Sequence, residues 1–216
     1  MPRKTNVPSR ITRAAIALFS RQGYHGTSTR DIARLADVSE VTLFRYFEHK
    51  EDLFWAALSS CFDALQPRFS ALELNSRKST PDVFVPRFLN ILVDTATFSP
   101  ELVRLIAVAL LEVHGKAEEV CRQHLTPLFG SISSYLHKNI ESGAIRNLNP
   151  AITTLGMALT VLAQPELSKL VDGCHISRLD LRDVQEAYTQ FWLGALLPTE
   201  KEQVETGHAL SLELPV

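Results

Sequence analysis

Residues 27–47 spell two short helices joined by a three-residue turn, and nothing else in the chain constrains its fold as tightly. Thr27-Ser28-Thr29-Arg30-Asp31-Ile32-Ala33-Arg34-Leu35-Ala36-Asp37-Val38-Ser39 runs directly into Glu40-Val41-Thr42-Leu43-Phe44-Arg45-Tyr46-Phe47. Ser28 and Asp31 have the spacing of a capping box, in which a hydroxyl accepts the N–H three residues on and an acidic side chain reaches back to the cap N–H. Ile32 and Leu35 are expected to face inward, with Ala33 small enough for a close helix crossing. Ala36-Asp37-Val38 makes the turn, since Asp tolerates the left-handed conformation better than most residues. Ser39 caps the next helix.

An amphipathic helix precedes this pair. Ile11, Ala14, Ala15, Leu18 and Phe19 fall at i, i+3, i+4, i+7 and i+8, which is one apolar stripe. Pro8 suits a first turn, where its missing N–H costs nothing, and Gly23 suits the stop. Three helices in this order write a helix-turn-helix, whose last member lays its first turns into a DNA major groove. On that helix Val38 and Leu43 anchor inward. Glu40, Val41, Phe44 and Arg45 point outward, with Thr42 at the boundary. Base edges in the groove present a distinct donor and acceptor pattern to such side chains. Tyr46 and Lys50 lie just beyond it, in reach of phosphates.

The pattern Ile11…Ala14-Ala15…Leu18-Phe19…Gly23…Thr27-Ser28…Ile32-Ala33…Ala36…Val38-Ser39…Thr42-Leu43-Phe44…Tyr46-Phe47…Lys50-Glu51…Leu53 resembles the DNA-binding domain of TetR-type transcriptional regulators. The resemblance covers about the first quarter of the chain; the rest is similar in length and helical pattern. It implies an all-α protein with a helix-turn-helix head at 1–52 and a helical ligand-binding and dimerisation body at 53–216. On the residues that match, Thr29, Arg30, Ser39, Glu40, Val41, Thr42, Phe44, Arg45, Tyr46 and Lys50 are the expected DNA contacts. Four positions depart from the family's pattern. Asp37 stands where Gly is usual, Val41 replaces a small residue, Phe44 replaces Tyr, and His49 stands where Ser or Thr often caps the fourth helix. Val41 and Phe44 would touch a groove by apolar contact, as with a thymine methyl.

Charge divides the chain at the same place. Residues 1–53 hold nine Lys/Arg against six Asp/Glu, and the remainder thirteen against eighteen. A basic head on an acidic body suits binding to DNA by one end. The Pro2-Arg3-Lys4 arm reads equally as a loose terminus or as an added phosphate or minor-groove contact.

Beyond Lys50 the pattern is helical throughout. A polar break falls at 75–81, and helices follow over about 81–99, 101–113 and 117–141, with Gly143 as a stop. Asn149 and Pro150 open a helix faced by Ile152, Leu155, Gly156, Leu159, Leu162 and Ala163. Another begins near Asp180, carries Val184, Ala187, Tyr188, Phe191, Trp192, Ala195 and Leu196, and ends at Pro198. The resemblance makes this pair a four-helix dimer seam, with Ile152, Leu155, Leu159, Val184, Tyr188, Phe191 and Trp192 at the interface. The helix stripes alone fit an intrachain core equally. A dimer also answers the need of a helix-turn-helix to grip two half-sites.

Phe62, Phe69, Phe84, Phe88, Phe98 and Phe129 crowd the middle of the chain, with Met157 nearby. In the family this region encloses a small inducer. Phe62, Phe84, Phe88, Phe98, His124, Phe129 and Met157 are therefore the candidate pocket, with Gln123 and Thr126 as further polar groups. A solid aromatic core is the competing arrangement.

Other classes find little support. Cys121 and His124 share a helix face near Glu112, His114 and Glu118, but no second ligand pair has matching spacing, so no metal or cofactor is expected. No glycine-rich phosphate loop, nucleophile elbow or paired-carboxylate frame marks an enzyme. Cys61, Cys121 and Cys174 are odd in number and scattered, as reduced thiols in a cytoplasm would be. No secretory leader is visible, and the apolar stretches near 105–111 and 159–163 are too short to span a bilayer. The expectation is a cytoplasmic homodimeric repressor, released from a palindromic operator by a small apolar or aromatic molecule. Its rivals are a helical module that docks a protein, and a DNA-binding regulator without a small ligand.

Overall fold

The computed structural model describes residues 6–76, 79–113, 115–170 and 180–199. The Pro2-Arg3-Lys4 arm and His114 lie outside them. Every regular element among the described residues is helical: α1 Val7–Gln22, α2 Thr29–Leu35, α3 Glu40–Phe44, α4 Lys50–Ser76, α5 Pro81–Phe98, α6 Pro100–Glu112, α7 Ala117–Val120, α8 Thr126–Glu141, α9 Pro150–Leu170 and α10 Leu181–Leu196. None is long and apolar enough to cross a membrane.

Two compact units emerge. One holds the described residues up to Pro67 together with Phe98–Pro127; the other holds Arg68–Thr97 and the described residues from Leu128 on. In the first, α1 packs on α2 and α6, and α2 packs on α3. Ile11, Ala15, Phe19, Ile32, Leu43, Leu53 and Phe54 are wholly excluded from solvent there. Each large apolar side chain among them contributes roughly 1.5–3 kcal/mol by leaving water. Phe54 sits edge-on to Phe19, Tyr24 and Trp55, with ring centroids 5.2, 5.7 and 5.1 Å apart. These offset geometries suit the ring quadrupoles.

In the second unit Phe84, Val85, Phe88, Leu89, Ile132, Leu136, Ile145, Met157 and Val161 are all at most 2 % exposed. Asn149 and Asp180 cap α9 and α10, accepting the N–H groups of Ile152 and Asp183 at 3.0 and 2.9 Å. The α9–α10 crossing is tight at Gly156, where an added Cβ would lie 3.2 Å from the Trp192 ring.

The helix expected over 117–141 is interrupted. Cys121–Leu125 forms a π-helical turn between α7 and α8. Pro127 explains the break, because it has no N–H to offer residue 123 and its ring crowds that carbonyl. Leu35, expected inward, is 56 % exposed. The buried arc of α2 runs through Ile32, Ala33 and Ala36, which leaves Leu35 on the flank beside Ala14 and Ala17.

Candidate nucleic-acid interface

The head is assembled by short local bonds and one long-range one. Ser28 Oγ accepts the Asp31 N–H at 3.1 Å and donates to Asp31 Oδ2 at 2.6 Å. The return bond of the capping box is thus made to the hydroxyl, and Asp31 also pairs with Arg34 at 2.6 Å. Asp37 takes the left-handed conformation at φ 52°. Arg10 on α1 fixes that turn: its guanidinium donates to the Ala36 carbonyl through Nε at 2.9 Å, to the Asp37 carbonyl, and to Asp37 Oδ2 at 2.9 Å. No sequence signal pointed to Arg10, which lies off the apolar stripe of α1 and would pass for a solvated residue.

Ser39 Oγ then accepts the Thr42 N–H at 3.1 Å and bonds Thr42 Oγ1 at 2.9 Å. Thr42 is therefore half-buried and already engaged. Leu43 is fully buried, whereas Val41 is 74 %, Phe44 47 % and Tyr46 51 % exposed. Arg30, Ser39 and Arg45 are exposed as well. Glu40 is not free as expected: its Oε1 accepts Thr29 Oγ1–H at 2.9 Å, tying α3 to α2. That bond gives both side chains an internal role. A carboxylate beside phosphates would be repelled, and this bond turns Glu40 towards α2.

Lys50 opens α4, with Nζ 4.4 Å above the centre of the Tyr24 ring. Burial pushes its pKa down, and the Glu112 carboxylate pulls it back up. Burial pushes the Tyr24 hydroxyl up, with Glu51 and Asp52 adding to the effect. His49 is not the side-chain cap of α4. Its N–H donates to Asp52 Oδ2 at 3.0 Å, so the acidic first turn supplies the capping oxygen.

The other candidate residues sort by exposure. Phe84, Phe88 and Met157 are buried in the second unit, where Phe84 stacks on Tyr135 with centroids 3.7 Å apart, and Phe129 is half-buried. Phe62 is 9 % exposed in the first unit and stacks on His124 at 5.1 Å. His124 Nε2 is buried without a hydrogen-bond partner. Gln123 and Thr126 are exposed. Phe98 departs from expectation: it closes α5 just before Pro100 and is 65 % exposed, so it lines no enclosed space. The side chains of Glu118 and Cys121 lie outside the described residues.

On α9, Ile152, Leu155 and Leu159 are 70, 47 and 57 % exposed, and on α10 Phe191 is 62 % exposed. Val184, Tyr188 and Trp192 are half-buried. The Tyr188 hydroxyl donates to the Thr160 carbonyl at 2.8 Å and the Trp192 ring meets Gly156, so these two also serve the intrachain crossing. A single chain thus leaves four large apolar side chains of α9 and α10 exposed.

Residues 11–57 match the profile of the bacterial regulatory proteins of the tetR family. The chain is 26 % identical over 140 residues to the HTH-type transcriptional regulator RutR of Escherichia coli strain K12, a match covering 65 % of each chain. It is 34 % identical over 65 residues to IcaR of Staphylococcus aureus strain Newman, a negative transcriptional regulator of the icaADBC biofilm operon; that match spans 30 % of this chain and 33 % of IcaR. The chain therefore spans slightly under two thirds of RutR and a third of IcaR. In fold it is similar to AibR, whose crystal structure holds isovaleryl coenzyme A and operator DNA. The TM-score is 0.69 at 15 % identity, over 86 % of this chain and 97 % of AibR.

Proposed function

We propose that the chain, whose residues 11–57 match the tetR family of bacterial regulatory proteins, is a TetR-type homodimeric repressor that reads a palindromic operator and is released by a small ligand. The observation that carries this reading is the presentation of α3. A buried Leu43, a Ser39 cap and an Arg10-pinned turn hold a helix of only five residues with Val41, Phe44 and Arg45 facing out. Among the described residues those three side chains make no hydrogen bond or ion pair, and they match in kind what a major groove accepts. Residues 1–52 would contact the operator and 53–216 would hold the ligand site and the dimer seam. The protein would work in the cytoplasm, where its DNA is. The ligand side of the proposal rests on the buried, unpartnered Nε2 of His124, whose ring stacks on Phe62.

Selection of bound duplexes from a random pool, followed by a salt titration, tests the DNA reading. Phosphate neutralisation predicts a steep fall of log affinity with log salt. A protein-docking module would select no sequence. For the ligand, isovaleryl coenzyme A is the first probe, because AibR is seen with it. A ligand that binds the folded state raises Tm by mass action and weakens operator binding reciprocally. Failure of acyl thioesters and of an apolar metabolite library alike would favour a regulator without a small ligand.

Two substitutions test the assignment of contacts. Replacing Thr42 or Arg45 with Ala is expected to change which sequences are selected, at roughly 1–3 kcal/mol per lost base contact. Identical selected sites for both variants and the wild type would remove α3 as the reader. Lys50→Ala should lower the salt slope by about one unit if Lys50 leaves the Tyr24 ring for a phosphate. If Lys50 serves only the Tyr24 contact, affinity falls equally at every salt concentration and the slope stays.

A further inference from the structure

The turn between α1 and α2 is held by a side chain from far along the chain. Gly23, at φ +74°, bends the backbone so that the next two N–H groups point the same way. Tyr24 N–H and His25 N–H both donate to Oε2 of Glu112, at 2.9 and 3.0 Å. Successive backbone N–H groups in such a bend form an anion-binding concavity, and here the anion is the last residue of α6. The space is shaped for it, since a Cβ at Gly23 would lie 2.6 Å from Glu112 Oε1. A second tie lies beside the first: Lys116 Nζ meets Asp52 Oδ1 at 2.6 Å, joining the segment after α6 to the first turn of α4. Trp55 Nε1–H donates to Glu51 Oε1 at 3.0 Å, and Gly115 is small where Glu51 passes.

A chain of hydrogen bonds links this turn to the recognition helix. Thr27 Oγ1–H donates to the Gly23 carbonyl at 2.8 Å, Ser28 caps α2, and Thr29 joins α2 to Glu40 at the start of α3. The position of α3 is thus inherited, bond by bond, from the turn that Glu112 grips.

We propose that Glu112 is a positioning residue for DNA recognition: its carboxylate is the latch through which α6 sets where the recognition helix stands. The proposal rests on the reading of the head as a DNA-binding unit, and names the bond through which the body acts on it. Charge-assisted bonds to backbone N–H groups are about twice as strong as neutral ones, so one side chain suffices for the task. Loss of the latch frees the turn, and two heads that wander no longer match a fixed half-site spacing.

The test compares Glu112→Ala and Glu112→Gln with wild type by amide exchange and by affinity for duplexes selected with the wild-type protein. Glu112→Ala is expected to expose the Tyr24 and His25 amides to exchange while leaving the dimer intact in sedimentation. Its affinity for the selected duplex should fall about ten-fold, the equivalent of one such bond. Glu112→Gln keeps an oxygen acceptor without the charge and should fall between the two. Unchanged protection or affinity in Glu112→Ala, or a Gln variant no better than Ala, overturns the proposal. Should Glu112→Ala fail to fold, wild-type exchange at Tyr24 and His25 in Glu112→Gln overturns it instead. If wild type selects no duplex, the DNA-binding reading fails, while the exchange data still decide whether Glu112 holds the turn.

Discussion

Phe191→Glu is expected to abolish operator binding while every DNA-facing residue stays in place. Phe191 is 62 % exposed in the single chain, as Ile152, Leu155 and Leu159 of α9 are exposed. The variant should therefore fold, since the isolated subunit leaves its side chain in water. The cost arises on association, when two symmetry-related carboxylates would be buried without partners. That is on the order of 4 kcal/mol, or about a thousand-fold in the dimer dissociation constant. Sedimentation should show a monomer at micromolar concentration with unchanged far-UV dichroism, and operator binding should vanish because one head grips one half-site. Trp192→Glu is the less clean probe. The Trp192 ring packs against Gly156 within its own subunit, so that substitution also damages the α9–α10 crossing. A wild-type protein that is monomeric at micromolar concentration would sink the assignment of this seam. So would a Phe191→Glu variant that remains dimeric.

The parts of the fold that could be read in the sequence are those encoded over three or four residues. Ser28, Ser39, Asn149 and Asp180 each cap the helix they precede. Asp37 takes the left-handed turn that its residue type tolerates. The exposed stripe of α9 follows from the same 3.6-residue period that predicted the helix. What escaped has long-range causes. Arg10 reaches across 26 positions to Ala36, and Glu112 reaches back 88 to Tyr24. A polar residue that closes a distant turn has the same local surroundings as one that faces solvent, so nothing in its neighbourhood marks it. The π turn before Pro127 was foreseeable in principle, since proline removes the donor that a continuous α-helix needs. Pro67, Pro86 and Pro165 stand inside helices without such a break, however, so proline alone does not mark one. Leu35 and Phe98 are more exposed than their apolarity predicts, for a different reason. Apolarity shows that a side chain gains from burial, and a helix end decides whether any neighbour is there to bury it.

Leu43→Ala should destroy DNA recognition from inside the head. Leu43 is fully buried and is the only buried residue of α3. A helix of five residues has too few backbone bonds to persist alone, because nucleation fixes several residues before propagation returns anything. Its place therefore depends on the Ser39 cap, the bond from Thr29 to Glu40, and the burial of the Leu43 side chain. Removing three carbon atoms there costs roughly 2–5 kcal/mol through lost transfer energy and the cavity left behind. That is a large share of the stability of a small helical unit. Amide exchange should show α2 and α3 opening far more often, with the helices of the second unit less affected. Affinity for selected duplexes should fall by about two orders of magnitude or more, because the reading helix is rarely formed. Leu43→Met, which nearly conserves volume, should cost under about 1.5 kcal/mol and retain sequence selection. Wild-type affinity and melting in Leu43→Ala would mean that α3 is held by its cap and its exposed neighbours alone, and the burial-based account of the head would have to be given up.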